Sequence, residues 1–222
     1  MSAPDAGFAE AARRASLGVA LAMIAAMAAS FVLEGLAPLA LVGPLALALL
    51  VRKLAPWGGP STLPNLITAL RVILTGALAL LAPAWGSVTS ALVILLVFVL
   101  DGLDGTIARR AGLTSAQGGH FDMEADAFLV LTVCALNVRV GLGAWVLAGG
   151  LLRYAYAIAA ACWPRGGEAP RTRFGRYAFA ASLSALTGAL LASPPLAIAL
   201  GALGTAILLV SFARSFVWLF SR

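Results

Sequence analysis

Long apolar runs restrict the fold of this chain more than any other feature. Eight runs approach the ~20 residues that a helix needs to cross a bilayer. They cover residues 16–33, 36–51, 66–81, 88–108, 121–138, 142–163, 177–191 and 196–212. Because no water reaches the lipid core, only helices or closed barrels can satisfy their backbone groups there. The runs are rich in Leu and Ala and do not alternate as barrel strands do. They therefore predict an all-α membrane bundle of about eight transmembrane helices.

Basic residues between the runs predict the orientation of this bundle. If the N-terminus is cytoplasmic and the chain crosses eight times, twelve basic residues face the cytoplasm and only Arg139 lies outside. The twelve are Arg13, Arg14, Arg52, Lys53, Arg109, Arg110, Arg165, Arg171, Arg173, Arg176, Arg214 and Arg222. Cytoplasmic loops carry such an excess, so both termini are expected in the cytoplasm. The net charge of +6 is then explained by the need to orient the helices in the membrane. The expected partner of the chain is therefore a bilayer, and nucleic acid is not expected.

The Ala-rich, Arg-rich composition suggests a bacterial inner membrane as the location. The first run could instead be a signal peptide, with Arg13 and Arg14 as its basic region. Cleavage there would leave the orientation of every later run unchanged. The second run is short and contains Pro44, so it could be re-entrant.

A Pro/Gly-rich connector at residues 56–64 is the best internal boundary. It predicts an N-terminal two-helix extension over residues 1–60 and a six-helix core over residues 61–222.

Four of the five aspartates lie close together in the sequence, and this is where chemistry is expected. They are Asp101, Asp104, Asp122 and Asp126. An aspartate within the membrane costs roughly 2.5–3.5 kcal/mol, so four together need a compensating charge, for which a divalent cation is suited. Each pair has helical spacing and shares one face, and the glycine-containing link between the pairs allows them to face each other. The alternative is a solvated loop with helix-capping carboxylates, which suits Asp122 but not Asp101 at the end of an apolar run.

These residues also carry a resemblance to a known family. From Asp101 the chain reads D-G-L-D-G-T-I-A-R, then eight residues, then G-G-H-F-D-M-E-A-D, which ends at Asp126. This is similar to the CDP-alcohol phosphotransferase (CDP-alcohol phosphatidyltransferase) signature, D-x2-D-G-x2-A-R-x8-G-x3-D-x3-D, at every fixed position. Upstream, Asn65-Leu-Ile-Thr68 resembles the segment that opens the first core helix of that family. The first two runs lie outside the usual six-helix core.

The resemblance implies a metal-dependent transferase. By position, Asp101, Asp104 and Asp122 would bind metal and the CDP diphosphate, and Asp126 would be the general base and also reach the metal. The reaction would be attack of an alcohol acceptor on a CDP-linked lipid donor, expected to be CDP-diacylglycerol, with release of CMP in phospholipid synthesis. The cofactor would be Mg²⁺ or Mn²⁺, as two ions, and a homodimer is left open because relatives are often dimers.

The resemblance also assigns binding residues. The predicted CDP-binding residues are Asp101, Asp104, Gly105, Ala108, Arg109, Gly118, Asn65 and Thr68. The predicted acceptor-binding residues are Arg71, Arg153, Arg173 and Arg176, which could hold an acceptor phosphate. For Arg71 and Arg153 the alternative is snorkelling or pairing with an aspartate. Tyr154 follows Arg153 where glycerol-phosphate-using relatives often carry Glu, so the acceptor is not assigned.

Two nearby residues are predicted to have structural roles. His120 is the only histidine, and an interfacial or capping role is favoured for it over catalysis. Glu124 falls on the opposite helix face from Asp122 and Asp126, so it is expected to pair with a basic residue.

Two other functions compete with the transferase. Membrane aromatic prenyltransferases also bind metal and diphosphate through Asp-rich helices, although their motifs are spaced differently. A non-enzymatic cation transporter would also place carboxylates in the membrane. A cation path, however, does not require an arginine and glycines at fixed offsets from the aspartates.

Overall fold

The computed structural model of the chain describes residues 6–57, 63–111, 115–163 and 172–221, with side chains for all of these except 6, 63, 64 and 104–111. This described part is almost entirely helical and contains no strand. Its α-helices are α1 (Ala6–Val32), α2 (Ala37–Leu54), α3 (Leu63–Ala111), α4 (Ala116–Arg139), α5 (Leu147–Cys162), α6 (Arg173–Ala189) and α7 (Pro194–Phe220). Short 3-10 turns at Ala55–Trp57 and Ala144–Val146 follow α2 and precede α5. The predicted all-α fold is confirmed.

The long helix α3 consists of two arms joined by a sharp kink at Gly86. This glycine has φ 74° and ψ 174°, a conformation that is essentially restricted to glycine. A straight helix would separate Arg71 from Asp101 by about 45 Å, yet their side chains approach to 2.9 Å. The two arms therefore fold back on each other, and they correspond to the predicted runs 66–81 and 88–108.

Five segments of the described chain are long and apolar enough to cross a membrane. They are Gly7–Val32, Ala37–Trp57, Asn65–Leu103, Ala144–Cys162 and Pro194–Phe220. The third includes both arms of α3. Helix α4 carries three acidic residues near its start, and α6 has only 17 residues. Neither helix is therefore both long and apolar enough to be counted as a membrane span. These segments support a helical membrane protein, whereas the total of eight crossings stays a prediction.

Side-chain caps define where α4 and α6, two helices near the acidic residues, begin. Ser115 accepts a hydrogen bond from the Gly118 N–H at 2.9 Å and starts α4. Thr172 caps α6 in the same way through the Gly175 N–H at 3.0 Å. Such caps satisfy backbone donors that have no partner within the helix. The first turn of α4, which precedes Asp122, is fixed by this local chemistry.

Helix α4 lies at the centre of the packing. It contacts α2, α3, α5 and α6, and it is buried along most of its length. Helix α1 packs against α2 and α5, and α2 packs against α3 and α4. The first two helices are therefore in contact with the rest of the bundle, and the predicted division at residue 60 stays a prediction.

Candidate active site

Three aspartates from different parts of the chain meet around one arginine. Asp101 comes from the second arm of α3, and Asp122 and Asp126 come from the first turns of α4. Arg71, on the first arm of α3, contacts Oδ1 of Asp101 at 2.9 Å and Oδ1 of Asp122 at 2.7 Å through Nη1. Its Nη2 donates to Oδ1 of Asp126. The folding back of α3 makes this arrangement possible, because it returns Asp101 to the depth of Arg71.

The geometry of the three carboxylates suits a hard cation. One oxygen from each of Asp101, Asp122 and Asp126 lies within 4.8 Å of the others. Their side chains are 24–28% exposed, whereas that of Arg71 is 2% exposed. Mg²⁺ and Mn²⁺ prefer such oxygen ligands. Three carboxylates against one guanidinium also leave a negative excess among the described side chains, which a divalent ion would offset. The residues present therefore fit a divalent metal ion.

A cavity of about 620 Å³ joins the carboxylates to a basic wall. Its charged lining residues in the described chain are Asp101, Asp122, Asp126, Arg153, Arg176 and Arg214. Arg214, on α7, stacks over the ring of Phe174 at 4.5 Å from its centroid, and such contacts hold a guanidinium in place. An anionic substrate could thus be held between the acidic and the basic sides.

On the other side of α4, the Glu124 carboxylate is buried and paired with an arginine. Glu124 is fully buried, and its Oε1 accepts a hydrogen bond from Arg153 Nη2 at 2.5 Å. The Ser16 hydroxyl donates to the same oxygen at 2.6 Å and lies 2.8 Å from His120 Nε2. Arg153 is the basic partner expected for Glu124. His120 is buried rather than interfacial, with 3% exposure, because α1 covers it.

The structure separates the predicted acceptor-binding arginines. Arg71 lies within the acidic group and pairs with aspartates. Arg153 lines the cavity but is also paired with Glu124. Arg176 lines the cavity near the start of α6, whereas Arg173 is exposed and is not among the lining residues. The four residues therefore do not form one cluster.

Of the eight predicted CDP-binding residues, Asp101 lies in the acidic group around Arg71, and the other seven fall into three groups. The side chains of Asp104, Gly105, Ala108 and Arg109 lie outside the described residues, although the α3 backbone extends through them. Asn65 and Gly118 line a smaller, mostly apolar cavity of about 430 Å³ between α2, α3 and α4. A Cβ on Gly118 would lie 2.8 Å from Asn65 Oδ1, so a glycine permits this close approach. Thr68 is buried and lines neither cavity.

Sequence reasoning did not assign two features of the site. Arg214 was interpreted only as a cytoplasmic charge, and no local pattern links it to the aspartates. Ser16 is a single hydroxyl in an apolar run, and its contact with Glu124 joins residues 108 positions apart. The only sequence signal for this contact was that a buried glutamate needs hydrogen-bond partners. That signal does not identify which helix supplies them.

Comparison with known proteins identifies the family of the chain. The family model described as CDP-alcohol phosphatidyltransferase matches residues 61–217, well over half of the chain. No curated protein matches the chain significantly. The matched region includes Arg71 and all four signature aspartates, and it begins after α1 and α2. On this match, the chain belongs to the CDP-alcohol phosphatidyltransferase family.

Proposed function

We propose that the chain transfers a phosphatidyl group from a CDP-alcohol, CDP-diacylglycerol being the expected donor, to an alcohol acceptor and releases CMP. One observation carries the proposal: Asp101, Asp122 and Asp126 converge on a cavity whose other side is basic. Membership of the family supports the reaction class and favours CMP over pyrophosphate as the leaving group. It also favours transfer over cation transport.

The carboxylates are the proposed metal ligands. Asp101 and Asp122, with Asp104 from the signature, would hold Mg²⁺ or Mn²⁺, and Asp126 would also reach the metal. When bound, the metal would neutralise the diphosphate and stabilise negative charge on the departing CMP. Arg71 contributes by holding three of these carboxylates in a single arrangement. A site with fixed charges needs little rearrangement during the reaction.

Asp126 is the proposed general base. Its Oδ1 receives the hydrogen bond from Arg71, so we assign the proton transfer to Oδ2. The acceptor hydroxyl loses its proton to Asp126 as its oxygen forms a bond to the phosphorus next to the lipid alcohol. The bond from that phosphorus to the oxygen bridging to CMP breaks, and CMP leaves with the electron pair. A positioned base of this kind contributes about 10²–10⁴ in rate.

The basic wall is the proposed site for anionic parts of the substrates. Arg176 and Arg214 line the cavity and present guanidinium groups that can bind phosphate oxygens in a forked geometry. Glycerol 3-phosphate, inositol phosphate, serine and a second phospholipid are the acceptors to compare. A bacterial inner membrane, with the site facing the cytoplasm, is the proposed location, because cytoplasmic water-soluble acceptors would then reach the cavity directly.

Release of CMP tests the proposal. Purified protein is incubated with CDP-diacylglycerol, Mg²⁺ or Mn²⁺, and each acceptor in turn, and CMP and the lipid product are measured by mass spectrometry. The proposal expects CMP and one phosphatidyl product, both abolished by EDTA. Release of pyrophosphate from an isoprenyl diphosphate would favour a prenyltransferase. Metal uptake into liposomes without turnover of any acceptor would favour a transporter.

A further inference from the structure

Helix α1 lies outside the residues that match the family, yet it contacts α4 beside the candidate active site. Ser16 reaches Glu124 and His120 with its hydroxyl. Phe8 packs edge-on against the His120 ring, with centroids 6.4 Å apart. On α2, the Val51 carbonyl accepts a hydrogen bond from Gln117 Nε2 at 2.9 Å. The extension therefore holds one face of α4 at three successive positions.

Helical geometry separates this face from the reacting carboxylates. Residues 117, 120 and 124 follow the i, i+3, i+7 pattern of a single helix face. At 100° per residue, the midpoint of Asp122 and Asp126 lies on the opposite face. The contacts made by α1 and α2 therefore lie on the side of α4 that faces away from Asp122 and Asp126.

The hydrogen atoms around Ser16 can be assigned by elimination. Glu124 offers only acceptor oxygens when ionised, so the Ser16 hydroxyl must donate to it. The Ser16 oxygen then accepts from His120 Nε2–H, and Arg153 Nη2 lies 3.5 Å from the same oxygen. Oε2 of Glu124 has no hydrogen-bond partner among the described residues. Ser16 therefore supplies one of only two hydrogen bonds to the Glu124 carboxylate within the described chain.

This network ends at the wall of the active-site cavity. Arg153 lines the cavity with Asp122 and Asp126, although it is only 7% exposed. Its guanidinium is held by Glu124 at 2.5 Å and lies 6.0 Å from the centroid of the Tyr156 ring. Because Glu124 is fixed by Ser16, the position of Arg153 at the cavity depends on a hydroxyl from α1.

We propose that Ser16 of the N-terminal helix is a positioning residue, which acts through Glu124 to hold Arg153 at the wall of the cavity where the acceptor binds. The extension is then part of the catalytic unit rather than an independent anchor. This inference rests on the proposed transfer reaction for its kinetic consequence. Its structural consequence, a fixed Arg153, does not depend on the reaction.

The test uses the full-length protein purified in detergent, with two measurements. Acceptor and donor KM are determined, and the rate at which phenylglyoxal, an arginine-specific dicarbonyl, modifies Arg153 is followed by peptide mass spectrometry. Ser16→Ala is expected to raise acceptor KM and the Arg153 modification rate by about ten-fold each. This is the fold-change that corresponds to losing one hydrogen bond to a charged group. Donor KM should change by less than about two-fold, because the described contacts of Ser16 are with Glu124, His120 and Arg153 rather than with Asp101, Asp122 or Asp126.

Ser30→Ala is the matched control on the same helix. Ser30 is also buried, but its hydroxyl bonds only to the Ala26 carbonyl of its own helix among the contacts described. This variant should leave both measurements unchanged, and Ser16→Thr, which keeps a hydroxyl, should restore both toward wild type. If Ser16→Ala does not fold, Ser16→Cys carries the same test, since sulfur fills the space but bonds weakly.

Each outcome decides the proposal. It is overturned if Ser16→Ala alters neither measurement, if it alters only one of them in an enzyme that turns over, or if Ser30→Ala has the same effect as Ser16→Ala. If the wild type turns over no acceptor, the proposed function fails. The labelling result still stands on its own: faster modification in Ser16→Ala alone supports the link from α1 to Arg153, and equal rates refute it.

Discussion

The two faces of α4 carry carboxylates in opposite electrostatic settings. On one face Asp122 and Asp126 are 24–28% exposed and share Arg71 with Asp101. On the other, Glu124 is fully buried and paired with Arg153. The first face has more negative than positive charge and opens onto a cavity, whereas the second is balanced and closed by α1.

The difference teaches what each face is suited to do. A carboxylate with excess charge and access to a cavity can exchange partners, so it can bind a cation and a substrate. A buried, balanced ion pair cannot exchange partners without leaving a charge unpaired, which is strongly unfavourable. We therefore assign reversible binding and chemistry to the Asp122 and Asp126 face, and positioning to the Glu124 face.

The largest effect is expected from removing the base on the face of α4 that carries Asp122 and Asp126, here called the open face; the Glu124 face is called the closed face. Asp126→Asn keeps the shape of the side chain but cannot accept the acceptor proton. Turnover should fall about 10³-fold, within the usual range for a general base, while binding of the CDP-linked lipid is largely retained. Product formation and competition by CDP measure the two properties. Turnover equal to that of the wild type would remove Asp126 as the base.

The second prediction contrasts the stability of the two faces. Glu124→Ala removes the carboxylate that pairs with the buried Arg153, so the free energy of unfolding should fall by about 3–5 kcal/mol. Asp101→Asn relieves like-charge repulsion, and without metal it should leave stability unchanged or raise it. Denaturation of both variants in the same detergent, with EDTA present, measures this. A larger loss in Asp101→Asn than in Glu124→Ala would reverse the contrast.

The third prediction concerns metal-dependent stability. Mg²⁺ at about 100 times its dissociation constant should stabilise the wild type by about 2.7 kcal/mol, the linkage value for one site. Asp101→Asn should lose most of this gain because one ligand is missing. Glu124→Gln, which alters only the closed face, should keep it. Thermal unfolding with and without Mg²⁺ gives the comparison, and equal gains in all three proteins would place the ion elsewhere.

The smallest effect is expected at the kink that brings Asp101 to Arg71. Gly86→Ala forces a side chain into a backbone conformation reserved for glycine, at a cost of about 1–2 kcal/mol. Stabilisation by Mg²⁺ should weaken, since Asp101 is carried by the second arm of α3. Modification of Arg153 by phenylglyoxal should not change. An increase in Arg153 modification would show that the two faces are not independent.

Much of the open face could be predicted from the sequence. Asp122 and Asp126 share a helix face by spacing alone, and the cost of burying carboxylates in a membrane pointed to a compensating cation. The opposite orientation of Glu124 followed from the same helical period. The inferences about helix faces succeeded because each depends on residues within one or two turns of a single helix, whereas the cation stays a prediction.

The remaining contacts depend on how distant segments meet, which local patterns do not encode. Arg71 was assigned to the acceptor, with pairing to an aspartate as the alternative, and its position in a span does not reveal that α3 folds back at Gly86 to bring Asp101 to it. Ser16 resembles other small residues in an apolar helix, and only packing shows that it faces Glu124. Arg214 lies 88 residues beyond Asp126 in sequence, and the packing of α5, α6 and α7 determines that it lines the same cavity.

Direct measurement of Mn²⁺ binding tests most directly the claim that the open face holds the metal. Purified wild type, Asp101→Asn and Glu124→Gln are titrated with Mn²⁺, and the free ion is followed by electron paramagnetic resonance. The account predicts saturable binding by the wild type and by Glu124→Gln, with an affinity at least about ten-fold weaker in Asp101→Asn. Wild-type affinity in Asp101→Asn, or no bound Mn²⁺ in the wild type, would contradict it.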